Sequence, residues 1–135
     1  MHWSTPRTIP GLLGAGLLLC AAAPCGAQAA PADEAAQMGD FFKGTLEIDV
    51  PAGDWSAKRY LTADHTYRET GADGEVQGTW VVQGGKICTT AARPLGADRA
   101  KTYCNIGVGK KAGEQWRDED PVTGNVVLFK LTPGR

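Results

Sequence analysis

From Phe41 onward the chain alternates apolar and polar residues in short runs. Gly, Asp or Pro interrupts them roughly every ten residues, the rhythm of an antiparallel β-meander. In the run Phe41–Val50, Leu46, Ile48 and Val50 alternate with Thr45, Glu47 and Asp49, so one face is buried and the other wet. Pro51-Ala52-Gly53-Asp54 reverses the chain into Trp55–Thr62, and Ala63-Asp64 separates that run from His65–Thr70. Ala72-Asp73-Gly74, where Asp-Gly favours a tight hairpin, leads into Val76–Gln83, whose Val76, Gly78, Trp80 and Val82 share a face. Gly84-Gly85 turns that run into Lys86–Ala91, and a longer loop, Arg93–Arg99, precedes Lys101–Val108. The last two runs are Glu114–Asp118 and Val126–Thr132, the latter with Val127, Phe129 and Leu131 facing inward. This pattern predicts eight strands and essentially no helix. Strands that can each pair with the next tend to curl until no edge is left, so the expected fold is all-β, a small eight-stranded antiparallel barrel. A two-layer β-sandwich is the alternative.

The segment before the meander has a different character. A basic start (Arg7), an apolar run (Gly11–Ala23) and Ala27-Gln28-Ala29 read as a cleavable secretory signal over residues 1–29, which places the mature chain in the periplasm or outside the cell. The apolar run is shorter than the roughly 20 residues a spanning helix needs, so no membrane span is expected. Leu19 and Pro24 precede Cys20 and Cys25, and neither is the small residue expected before a lipid-anchored cysteine. Residues 30–40, rich in Ala with Pro31, Asp33 and Glu34, read as a flexible arm with one helical turn. Residues 41–135 form the single domain.

Loss of the leader leaves two cysteines, Cys88 and Cys104, in a compartment where disulfides persist. They fall on neighbouring strands. If they lie opposite one another, Thr90 pairs with Thr102 on the same face, and Ile87 with Asn105 and Thr89 with Tyr103 on the other. The whole chain carries 14 Lys plus Arg against 15 Asp plus Glu; Arg7 leaves with the leader, so 13 minus 15 gives a mature net charge of −2. Lys110-Lys111 is an isolated basic pair, and nothing resembles the basic face that neutralises phosphates, which argues against a nucleic-acid partner.

Catalytic and metal chemistry find little support in the pattern. After the leader, His65 is the only histidine and Ser56 the only serine. No glycine-flanked elbow presents that hydroxyl, and His65 reads as a turn residue. Asp118-Glu119-Asp120, with Thr123 and Asn125, reads as a solvated turn, because the twelve-residue calcium loop is absent. Glu69, Glu75, Glu114 and Asp118 offer carboxylates, but no spacing selects a pair for glycoside cleavage. Gly107-Val108-Gly109 precedes no helix and so cradles no phosphate. Neither a cofactor, a metal nor an enzymatic activity is expected.

The eight-strand pattern, Gly78-Thr79-Trp80 and the single bridge resemble the calycin-like small barrels, which include lipocalins, avidins and periplasmic inhibitors of secreted metalloproteases. Ala63-Asp64-His65-Thr66-Tyr67, Gly84-Gly85-Lys86-Ile87-Cys88, Tyr103-Cys104 and Trp116 are also similar to short exported proteins of proteobacteria. Two functions follow as expectations. The first is a non-enzymatic exported interaction protein, such as an inhibitor of another exported protein, touching its partner through loops, the N-terminal arm or Phe41 and Phe42. The second is a carrier of a small apolar or aromatic ligand inside the barrel near Trp80, Tyr103 and Trp116.

Overall fold

The computed structural model describes residues 31–135 except residue 98. The expected leader lies outside these residues. The described chain opens with a 13-residue helix, α1 (Pro31–Lys43), where a flexible arm and the start of a strand were expected. The local reasons are present in the residues. Pro31 suits the first turn, Asp33 and Glu34 sit at the positive end of the helix dipole, and Lys43 sits at the negative end. Met38, Phe41 and Phe42 recur at helical spacing and so form one apolar stripe. Met38 and Phe41 are fully buried against the barrel, and this burial holds a helix too short to persist alone.

Eight strands follow: β1 (Gly44–Val50), β2 (Trp55–Leu61), β3 (Thr66–Gly71), β4 (Gly74–Gln83), β5 (Lys86–Ala91), β6 (Thr102–Gly107), β7 (Gln115–Glu119) and β8 (Val126–Pro133). Every neighbouring pair is antiparallel, in the order β6-β5-β4-β3-β2-β1-β8-β7. Because β1 pairs with both β2 and β8, the meander curls into a barrel, closed everywhere except at a seam between β6 and β7. The turns carry the backbone angles their residues favour. His65 takes a left-handed φ of 65° in the β2–β3 turn, and Gly74 takes 78° where the β3–β4 hairpin tightens. Gly78 is needed for a different reason: a Cβ there would run into the carbonyl oxygen of Thr90 and the ring of Tyr67.

The inward faces follow the sequence alternation. Leu46 and Ile48 from β1, Leu61 from β2, Val76 and Trp80 from β4, Ile87 from β5, and Val127, Phe129 and Leu131 from β8 are all buried. Cys88 and Cys104 form a disulfide between β5 and β6, with Thr89 opposite Tyr103 and Thr90 opposite Thr102 as the cysteine register requires. Beyond the bridge the register slips. Ile87 pairs with Ile106 rather than with Asn105, because a bulge inserts Asn105 as an extra residue on β6. The slip puts Ile106 in the core, where an apolar side chain gains most from burial.

One ion pair crosses from β5 to β7 near the seam, joining Lys86 to Asp118. The Lys86 ammonium holds the Asp118 carboxyl below the usual aspartate range; slight burial pushes the other way, and the Glu119 backbone N–H adds to the lowering. A carboxylate with a lowered native pKa stabilises the fold above its unfolded value of about 3.9, and that contribution vanishes as pH falls through the lower native value. Both side chains are partly solvated, which limits the effect to below about 1 kcal/mol. Asp118→Asn should therefore flatten the stability loss measured by urea titration below about pH 4. Acid limbs of equal slope in the two proteins would remove the clasp from the account.

Candidate functional site

The topology gives the barrel two unlike ends. Strands β1, β3, β5 and β7 run away from α1, and β2, β4, β6 and β8 run back towards it. The helix therefore lies over one end, and the loops over residues 51–54, 72–73, 92–101 and 120–125 gather at the other.

The helix end is filled. The Phe41 ring meets Trp116 edge-on at 6.2 Å, and Trp116 stacks on Phe129 at 5.5 Å. Phe42 lies 5.8 Å from Trp80, whose other neighbour is the His65 imidazole at 4.3 Å. Trp80 Nε1 donates to the Thr62 carbonyl at 2.9 Å, while the Trp116 N–H is buried without a partner among the described residues. Polar contacts fasten the helix: His65 Nε2 lies 2.7 Å from Glu34 Oε1, Gly109 N–H donates to Gln37 O at 3.1 Å, and Ala112 N–H donates to Asp40 Oδ2 at 2.9 Å.

The opposite end is open and polar. Directly beneath it, Arg59 on β2 and Glu69 on β3 face one another inside the barrel. Arg59 Nε donates to Glu69 Oε2 at 2.7 Å, Nη2 donates to the same oxygen, and Nη1 donates to Thr89 Oγ1 at 3.1 Å. Glu69 is only 3% exposed, so this pair sits in a medium where charge must be matched. The Arg59 guanidinium also lies 4.9 Å from the centre of the Tyr67 ring. Burial is the main cause that pushes the Tyr67 hydroxyl above the ordinary tyrosine value.

Above this pair opens a cavity of about 200 Å³. Ile48, Val50, Val127 and Phe129 give it an apolar wall, and Trp55, Arg99, Tyr103, Asn105, Asp120 and Asn125 give it polar and aromatic edges. Arg99 spans the rim. Its guanidinium lies 4.9 Å from the Trp55 ring and 5.9 Å from the Tyr103 ring, Nη1 donates to Asp73 Oδ2 at 2.8 Å, and Nε reaches Tyr103 Oη at 3.3 Å. Partial burial opposes the charge on Arg99, but Tyr103 and Asp73 outweigh it and raise its pKa. The same Asp73 oxygen accepts the Trp55 indole N–H at 2.9 Å. Asn105, on the inward parity of β6 with Tyr103, is 8% exposed and lines the cavity.

The residues singled out from sequence therefore separate. Trp80 and Trp116 belong to the filled helix end, and only Tyr103 reaches the open cavity. Phe41, 1% exposed, and Phe42, half-buried on Trp80, pack against the barrel. Ser56 and His65 stand at opposite ends of β2, too far apart to act together. Asp118 pairs with Lys86, whereas Asp120 Oδ1 accepts the N–H groups of Val122 and Thr123 within its own turn. Among the described residues no group of three or more His, Cys, Asp or Glu is placed to hold a metal ion. Nor is any helix among them long and apolar enough to cross a membrane.

Arg59, Glu69, Trp55, Arg99 and Asn105 were missed as site residues. For the ion pair a signal existed: Arg59 interrupts the inward series Ala57, Leu61, and Glu69 follows inward Tyr67 by two. Two opposite charges on the apolar parity of adjacent strands announce a buried pair. Asn105 carried a weaker signal, a lone amide on the same parity as Tyr103 and facing the Ile87 side of β5.

Fold and site together define a class: a nearly closed antiparallel eight-stranded β-barrel with a disulfide between β5 and β6, plugged at one end by a helix and open at the other onto a small polar cavity. No protein-family model, no curated protein and no solved structure matches this chain.

Proposed function

We propose that this protein is a non-enzymatic binder of one small molecule, held at the open mouth of the barrel, and that it works outside the cytoplasm. The observation that carries the reading is the cavity of about 200 Å³ at the open mouth, where the apolar wall of Val127 and Phe129 meets the side chains of Tyr103, Asn105 and Asn125. The Cys88–Cys104 disulfide supports an oxidising compartment. An apolar cargo deep in the barrel is disfavoured, since Trp80, Ile87, Leu46 and Leu131 already fill that space. A partner-binding role through Phe41 and Phe42 is disfavoured by their packing from the helix onto the barrel.

The test is a small-molecule screen of the disulfide-bonded protein by two-dimensional NMR. Saturable shifts confined to the Trp55 indole, Tyr103 and Asn105 are expected. A library that shifts nothing at the mouth, or only residues around Trp80 and Trp116, contradicts the proposal.

A further inference from the structure

We infer that the ligand class of the mouth is a neutral hydroxylated ring, a single saccharide unit; this rests on the small-molecule reading above. Three observations select it. The first is size. A cavity of about 200 Å³ holds the equivalent of about seven waters at their liquid volume, which suits one six-membered ring with its substituents and is too small for a lipid chain.

The second is charge. Both cations on the wall are already matched, Arg59 by Glu69 and Arg99 by Asp73. An anionic ligand would meet no uncompensated positive charge and would approach Asp120 as well. A cationic ligand fares little better. Asp120 Oδ1 is engaged by two N–H groups of its own turn, and Arg99 already lies against the Trp55 and Tyr103 rings where an ammonium would sit. Asp120 keeps its charge, but with Arg99 covering the aromatic faces the wall offers no cage for a cation, and a neutral molecule is what the arrangement favours.

The third is the kind of hydrogen bond on offer. The amides of Asn105 and Asn125 each present a donor and an acceptor, and neither is engaged by a side-chain bond among the described residues. Tyr103 Oη accepts from Ala100 N–H at 3.0 Å and from Arg99, which leaves its own proton to donate. Groups that donate and accept side by side match hydroxyls, which do the same. The wall formed by Val127 and Phe129 provides the apolar surface that the C–H face of such a ring requires.

The experiment titrates the disulfide-bonded protein with methyl β-glucoside, N-acetylglucosamine and cellobiose, and in parallel with benzoate and benzamidine, following the side-chain amides of Asn105 and Asn125 and the Trp55 indole by NMR. Saturable shifts with the sugars and none with the charged aromatics are expected. Asn105→Ala and Asn125→Ala should each weaken sugar binding by about tenfold, the effect of one lost hydrogen bond to a desolvated partner. Because Asn105 sits in a bulge, the turn variant Asn125→Ala keeps the test valid if the first fails to fold. Cellobiose binding as tightly as the monosaccharides indicates the end of a longer glycan, whereas its exclusion indicates a free sugar; either result supports the inference. Benzoate or benzamidine binding at the mouth while the sugars do not overturns the saccharide class and leaves the small-molecule reading standing. No response at the mouth to any probe overturns both.

Discussion

Glu69→Ala is expected to lower the unfolding free energy by about 3–5 kcal/mol, because it leaves the Arg59 guanidinium buried without its countercharge. The loss exceeds what one hydrogen bond would account for. Two donor nitrogens of Arg59 converge on a single Glu69 oxygen, and the remaining one is held by Thr89. Removing both charges should behave differently. In Arg59→Met combined with Glu69→Leu, the interior exchanges an ion pair for apolar volume, and such replacements are near neutral or stabilising. Urea titrations of the two single variants and the double variant form a thermodynamic cycle that isolates the coupling. A double variant as unstable as the sum of the singles would show that the two residues act independently.

Phe41→Ala is the second large effect, with an expected loss of about 3–5 kcal/mol. Phe41 is fully buried between the helix and the barrel, with its ring edge-on to Trp116. Truncation removes a large apolar side chain and leaves a void where the helix cannot settle further without losing the Asp40 and Gln37 contacts to the loop over 109–112. Phe42→Ala, at a half-buried position on Trp80, should cost less. Equal and small losses for the two would mean that α1 does not cover the barrel in solution. That result would reopen the helix segment as a contact surface.

The all-β architecture and the strand boundaries were legible because alternation and turn residues act locally. Val76, Trp80, Val127, Phe129 and Leu131 face the core as their parity requires. The bridge register was legible from Cys88 to Thr90 and lost at the next residue on the other side, where the bulge at Asn105 answers to the packing of Ile106 rather than to any local motif. The helix was misread because Phe41-Phe42 adjoin a strand pattern. Their relation to Met38 marks a helical stripe only when the segment is read with a 3.6-residue period. The mouth was legible least of all. Trp55, the Arg99–Tyr103 segment and Asn125 come from three separate places in the chain, and only the curl of the sheet brings them together.

The placement of the disulfide has a consequence for recognition. Cys104 sits between Tyr103 and Asn105 on β6, a strand with a hydrogen-bonded neighbour on one side only. A lone edge of this kind is where a sheet frays first. The sulfur link pins that margin at the point from which two ligand-facing groups project, so it sets the shape of the aperture as well as resisting unfolding.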